Sequence, residues 1–195
     1  MGQTRRMQPS PARIVLRPWR DADLEAWAAM CADRRVMEHF PKLLARDESD
    51  LLASRIRQAA VDLGFGLWAV EIRGVSPFAG FVGLTRPFFE AHFTPCVEIG
   101  WRIAHEHWGH GYATEAAREA LRIGFAELGL DEIVSMTIPA NVRSRALMER
   151  LGMHRDAADD FDHPNLRTDE RLRRHVLYRL HRDAWESSMP AAESR

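Results

Sequence analysis

Residues 104–117, AHEHWGHGYATEAA, gather three histidines, two carboxylates and two glycines just ahead of a helical pattern. Three chemistries suit such a string. Histidines can hold a metal, glycines can open the backbone to a phosphate, or the stretch can be a polar turn. Zinc requires three or four ligands at suitable spacing. The HExxH pattern begins at His105 and Glu106, but Gly109 stands where the second histidine belongs. His105 and His107 can share a face of an extended segment, His110 can join them, and only the remote His163 offers itself downstream. Hydrogen-bonding or solvent-facing histidines are the ordinary alternative.

The nucleotide motifs fail in turn. GHGYAT contains GxG, but Thr114 replaces the third glycine of GxGxxG, and no acidic residue closes a following strand about 20 positions on. The lysine and hydroxyl of a P-loop are missing as well. The physics beneath those motifs survives. A strand ends near Ile103 and a helix starts near Gly111, joined by a turn in which glycine permits positive φ and close approach of a ligand. The first amides of a helix lack internal partners and carry the positive end of its dipole. The N–H groups of His110, Gly111, Tyr112, Ala113 and Thr114 would then bind phosphate. A plain glycine turn is the competing reading, and spacing alone leaves both open.

The flanking elements must position this turn. TPCVEIGWRI (94–103) alternates Val97, Ile99, Trp101 and Ile103 with Glu98, Gly100 and Arg102, as in a strand with one apolar face. Gly100 marks a bulge or a close backbone approach. Ala113, Ala116, Ala117, Ala120, Leu121, Gly124 and Leu128 form the buried stripe of a helix over about 111–128. Upstream, ARIVLRPW (12–19) reads as a strand stopped by Pro18. Helices follow from Asp21 or Asp23 to about 33, with Leu24, Trp27, Ala28 and Cys31 on one face, and from Asp47 to Leu63. FGLWAVEIR (65–73) and FAGFVGLTR (78–86) are strands. Downstream come DEIVSMTI (131–138) as a strand, NVRSRALMERLG (141–152) as a helix between an Asn cap and Gly152, then strands at 153–161 and 173–180. This order predicts a single α+β, or mixed α/β, domain around one sheet.

Composition sets bounds. The chain has 195 residues, 46% of them hydrophobic and 28% charged, which suits one soluble domain with a real core. With 27 basic and 28 acidic side chains there is no general nucleic-acid surface. Cys31 and Cys96 form no CxxC pair, so no disulfide framework is expected and a cytoplasmic location is the default. No apolar run approaches the roughly 20 residues of a membrane span. Residues 1–11 read as a flexible tail, 12–183 as the domain and 184–195 as a polar tail.

The wider string VEIGWRIAHEHWGHGYATEA resembles the acetyl-CoA-binding motif of the Gcn5-related N-acetyltransferases (GNAT). The family signature Q/R-x-x-G-x-G/A becomes Trp108-x-x-Gly111-x-Ala113, with the first position departing. The pair WG followed by xGYATEA is similar to the branch containing the ribosomal-protein N-terminal acetyltransferases. Asn141, Ser144 and Gly152 in IPANVRSRALMERLGM match that branch's Asn-x-x-Ser helix, and IVLRPWRDADLEAW is similar to its opening strand and helix. The resemblance runs in order over about 12–181. It implies a mostly antiparallel sheet of six or seven strands, splayed between the fourth and fifth, with about four flanking helices and acetyl-CoA in the cleft as co-substrate. It places the pyrophosphate on the amides of 109–114, with Trp108, Gly109, His110, Gly111, Tyr112, Ala113 and Thr114 forming the site. Main-chain groups of Trp101, Arg102 and Ile103 hold the pantetheine arm, and Asn141 bonds to it.

The implied reaction is direct attack by a primary amine on acetyl-CoA in a ternary complex. The amine must be unprotonated, the oxyanion needs a donor, and the departing thiolate benefits from a proton. The N–H of Ile103 or a neighbour is the oxyanion candidate. Many family members place a tyrosine seven residues after the asparagine; Met148 stands there, so Ser144 is the substitute donor, unless its hydroxyl merely bonds its own helix. Glu98 is the candidate base, acting directly or through water, with His175 and Tyr178 as further candidates. The acidic loop DAADDFDHPN (156–165) offers steering of a cationic amine, or is simply solvated. The expected acceptor is a protein N-terminus, a lysine or a small amine, with no nucleic acid, membrane or metal partner and a homodimer as the default assembly. A non-catalytic acyl-CoA sensor is the rival class, and a zinc hydrolase the third.

Overall fold

The computed structural model describes residues 12–166 and 168–188. Eight strands form one sheet: β1 (Ile14–Arg17), β2 (Leu67–Ile72), β3 (Gly80–Thr85), β4 (Glu98–Ile103), β5 (Glu132–Thr137), β6 (His154–Arg155), β7 (Phe161–Asp162) and β8 (Arg174–His181). Their spatial order is β1-β2-β3-β4-β5-β8-β6, and β7 pairs with the other end of β8. The long strands appear where alternation and β-branched residues place them. The two-residue strands exceed the expected count of six or seven. They exist only because β8 offers an edge. Six helices surround the sheet, against about four expected: α1 (Leu24–Ala32), α2 (Arg46–Leu63), α3 (Tyr112–Arg122), α4 (Val142–Arg150), the single turn α5 (Glu170–Arg173) and α6 (Arg182–Ser188).

All pairings are antiparallel except β4 with β5, which run parallel and meet at one register pair, Glu98 with Val134. Two hydrogen bonds close that point. The Val134 N–H donates to the Val97 carbonyl at 2.9 Å, and the Ser135 hydroxyl donates to the Ile99 carbonyl at 2.9 Å. Beyond Ile99 the strands part, and Gly100–Ile103 keep partners on the β3 side alone. This is the splay the resemblance implies.

The sheet buries both faces. Against one face α3 lays Ala116, Ala117, Ala120 and Leu121, joined by Val70, Val82, Leu84, Ile99, Ile133 and Met148. Against the other, α1 and α2 lay Trp27, Met30, Cys31, Ala53 and Ile56 on Ala69, Phe78 and Phe81. Trp27 is fully buried and its indole N–H donates to the Ser49 carbonyl at 2.8 Å. Arg17 and Asp23 form a buried ion pair at 2.7 Å beside this cluster. Asp23 therefore holds a guanidinium as well as the Arg20 N–H of the first turn.

Three details differ from the pattern reading. The helix at 112 gives way to a π turn over Ile123–Glu127, which shifts the register so that Leu128 faces solvent instead of closing the stripe. In α2, Ser49 and Ala53 are buried and Leu51 is exposed, so apolarity alone does not mark its inner face. At the C-terminus α6 carries Trp185 onto Phe125, ring centroids 5.2 Å apart, so the chain packs on the domain beyond residue 183. The expected tail at 1–11 lies outside the described residues. Among the described residues no helix is long and apolar enough to cross a membrane.

Candidate active site

The turn after β4 is built in steps. Residues His105–His107 form one tight 3-10 turn where an extended end was expected, Gly109 and Gly111 take φ values of +80° and +83°, and α3 begins at Tyr112. Such φ values suit glycine, and the added Cβ at Gly111 would meet only Arg13 Nη2 at 3.6 Å and Glu115 Oε1 at 3.9 Å. Conformation, rather than crowding, requires the glycine. The Arg13 guanidinium pairs with Glu115 and donates to the His110 carbonyl at 3.0 Å, fixing the turn from outside.

Among the described residues, the N–H groups of residues 109–114 find no acceptor in the protein. Six consecutive free amides at the positive end of a helix form an anion cradle. The histidines take other roles. His105 stacks on Trp108, His107 and His110 lie against Tyr112, and His163 lies against His175 and Phe89. No three His, Cys, Asp or Glu side chains of the described residues gather in a metal-holding group.

Trp108, the departure from the family signature, props the turn. Its indole N–H donates to the Ile103 carbonyl at 2.8 Å, and the Arg143 guanidinium lies 4.5 Å above its ring. That carbonyl, expected to serve a ligand, thus keeps one lone pair for it.

Two cavities meet at the splay. The outer one, about 790 Å³, runs along Ile103, Gly109, Gly111, Tyr112 and Thr114 to α4, and Arg35, Arg118, Arg143 and Arg150 line it. The inner one, about 320 Å³, reaches Glu98, Gly100, Ser135, Met148 and His175. Both touch His39, Phe40, Trp101, Arg102, Asn141 and Ser144, which mark the wall between them.

At that wall Asn141 caps α4. Its Oδ1 accepts the Ser144 N–H at 3.2 Å and its Nδ2 donates to Thr137 Oγ1 at 3.1 Å. Ser144 Oγ accepts the Trp101 indole N–H at 3.2 Å and, among the described residues, donates to no backbone carbonyl, which leaves its proton available. Met148 is buried and offers no proton.

Glu98 opens onto the inner cavity with no hydrogen-bond or ion-pair partner among the described residues, and burial pushes its carboxyl up to about 7. His175 also lines that cavity; burial takes its imidazole down to about 4, so it is neutral at pH 7 and weakly basic. Tyr178 sits in the core, donates to Glu149 Oε1 at 2.9 Å and lines neither cavity, so it leaves the list of bases. The acidic loop also changes role. Asp159 pairs with Arg179 at 2.7 Å, Asp160 with Arg155, and Asp162 with Arg173 and Arg174, while none of them lines either of these two cavities.

A splayed sheet with a free-amide cradle at one lip and an unpaired carboxylate inside suits a phosphate-bearing ligand held beside a group that can exchange a proton. The profile of the acetyltransferase (GNAT) domain matches residues 13–154. The chain belongs to that family and is an acetyl-CoA-dependent N-acetyltransferase. It is 30% identical over 143 residues to the uncharacterised Bacillus subtilis protein YkkB, covering 73% of this chain and 82% of that one. It is 32% identical to an Aspergillus fumigatus FsC-acetyl coenzyme A-N(2)-transacetylase, covering 73% of this chain and 63% of the relative. Among solved structures, Mycobacterium smegmatis RimJ in complex with CoA-disulfide superimposes with a TM-score of 0.71 at 23% identity, covering 87% of this chain and 82% of that chain; that likeness concerns the fold.

Proposed function

We propose that the chain transfers the acetyl group by direct attack of an amine bound in the inner cavity on acetyl-CoA bound in the outer one. Acetyl-CoA supplies the activated thioester. The amides of 109–114 suit its pyrophosphate, the four arginines suit its remaining anionic charge, and the open edge of β4 at Trp101–Ile103 suits its amide-bearing arm. Glu98 takes the proton that the amine must lose, directly or through one water. A carboxyl near 7 is poised for that exchange at neutral pH. A main-chain N–H on the open edge of β4, that of Ile103 or its neighbour Trp101, donates to the carbonyl oxygen as charge develops there. As the new C–N bond forms and the C–S bond breaks, the Ser144 hydroxyl donates a hydrogen bond to the departing sulfur, which takes up the proton that the acetylated nitrogen releases. Asn141 positions that helix end.

The observation that carries this reading is the unpaired Glu98 carboxylate beside the wall shared by the two cavities. The experiment compares thiol release by the wild type and Glu98→Gln across pH 6–8. With an ionisation near 7, about a tenth of the carboxyl is charged at pH 6 and about nine tenths at pH 8. The wild-type to variant ratio of kcat/KM should climb about tenfold over that range, toward a difference on the order of 10²-fold or more. A variant within threefold of wild type at every pH removes Glu98 from the chemistry. Binding of CoA with no thiol release on any amine supports a sensor instead.

A further inference from the structure

Glu98, Gly100 and Arg102 stand in a row on one face of β4, because strand side chains alternate. All three line the inner cavity. A Cβ built on Gly100 meets nothing within 4 Å, so the space between the carboxylate and the guanidinium is open. The row spans about 13 Å of strand at roughly 3.3 Å per residue.

The Arg102 guanidinium occupies an aromatic slot. Its carbon lies 3.9 Å from the Phe40 ring centroid, 5.0 Å from Trp27 and 5.7 Å from Phe81. Its one hydrogen bond runs from Nη1 to Cys31 Sγ at 3.6 Å, a weak acceptor. Nε is sealed from solvent with no partner, whereas Nη2 is unbonded yet not sealed. Among the described residues no carboxylate neutralises the group. Aromatic faces offset part of the cost of burying such a charge, and an anionic partner would offset the rest. The titratable side chains lining this cavity besides Glu98 and Arg102 are His39 and His175, both held neutral by burial. The cavity therefore carries one carboxyl group and one guanidinium, on the same face of β4 with a glycine between them.

We propose that the acceptor is an aminocarboxylate whose carboxylate docks on Arg102 and whose amine lies past Gly100 at Glu98. This rests on the reading of the inner cavity as the acceptor site. The four-residue offset of the two positions along β4 favours a longer acceptor than the single-carbon spacing of an α-amine and its own carboxylate. It fits a chain of several carbons, as in an ω-amino acid or the side-chain amine of a diamino acid. The guanidinium anchors the acceptor through the accessible Nη2 by a charge-assisted hydrogen bond and touches no reacting atom.

The test uses wild-type protein, saturating acetyl-CoA and matched acceptors: 5-aminopentanoate and 6-aminohexanoate against their primary carboxamides, which keep the amine and lose the charge. The acids should exceed the amides in kcat/KM on the order of 10- to 100-fold, expressed mainly in KM. In Arg102→Met, which keeps an apolar filling for the aromatic slot, that ratio should fall to about one. Equal turnover of acids and amides by the wild type overturns the anchor and leaves acetyl transfer standing. A ratio that persists in Arg102→Met also overturns it. Failure of every amine to release thiol overturns the acceptor-site reading and the anchor together.

Discussion

Replacing Gly111 with valine puts the cradle to a direct test. Gly111 sits at φ +83°, and a Cβ there meets Arg13 Nη2 at 3.6 Å and Glu115 Oε1 at 3.9 Å, which are ordinary contacts. The damage therefore comes from the backbone. A β-branched residue in left-handed conformation costs about 1–3 kcal/mol. The protein can hold the turn and lose that amount of stability, or let φ turn negative and break the row of six amides. Phosphate binding favours the first arrangement, so the strain is charged against the complex. The dissociation constant for CoA should rise about 5- to 150-fold, the equivalent of that range. Titration calorimetry with CoA measures it, with circular dichroism confirming the fold. His105→Ala is the control: its ring lies tilted against Trp108, 4.8 Å between centroids, and lines neither cavity, so affinity should change less than about twofold. A folded Gly111→Val protein that binds CoA within twofold of wild type refutes the cradle.

Two further perturbations probe the supports of the site. Trp108→Phe removes the 2.8 Å indole bond to the Ile103 carbonyl; it should cost about 1 kcal/mol in a thermal or urea melt and weaken CoA severalfold. Unchanged CoA affinity would show that the tryptophan is not a prop of the cradle. Asp23→Ala leaves the buried Arg17 with the partly exposed Glu71 and carbonyl oxygens, and should cost about 3 kcal/mol in urea melts at pH 7. Burial alone would raise the Asp23 carboxyl, but hydrogen bonds from Arg17 and the Arg20 N–H outweigh it and hold the group below its usual range. Its stabilisation is thus present above the ordinary carboxylate range and lost as pH falls through the depressed value. The gap between variant and wild type should narrow in acid, and a gap constant with pH would contradict the pairing.

Much of this architecture was legible because its signals are local. Alternation in VEIGWRI, glycines flanking the turn and an alanine-rich stripe fix β4, the cradle and α3 within about 30 residues. The Asn141 cap and the Ser144 hydroxyl were readable for the same reason. What escaped depends on distant neighbours. Arg102 reads as the solvent-side residue of an alternating strand. Its aromatic slot is assembled from Trp27, Phe40 and Phe81, which the sequence keeps apart. Trp108 reads as a failed signature position because its partner, a backbone carbonyl, leaves no mark in composition. Tyr178 pointed to the wrong side because its strand packs α4 on one face and the aromatic loop residues on the other. The carboxylates of 156–165 read as a field until their arginines, some of them on β8, were in view.

The single register pair between β4 and β5 has a consequence for solubility. An unpaired strand edge is a template for adhesion to other chains, and proteins blunt such edges with charge, proline or a covering element. Here the exposed edge of Gly100–Ile103 lies in the middle of the sheet, at the bottom of a recess walled by α3 and α4. Walls do what charge does elsewhere: α3 and α4 flank the open edge on either side. The Ser135 hydroxyl and the Val134 amide that close the splay therefore limit how wide that recess gapes. Substitutions that loosen them would surface as aggregation before they surface as lost catalysis.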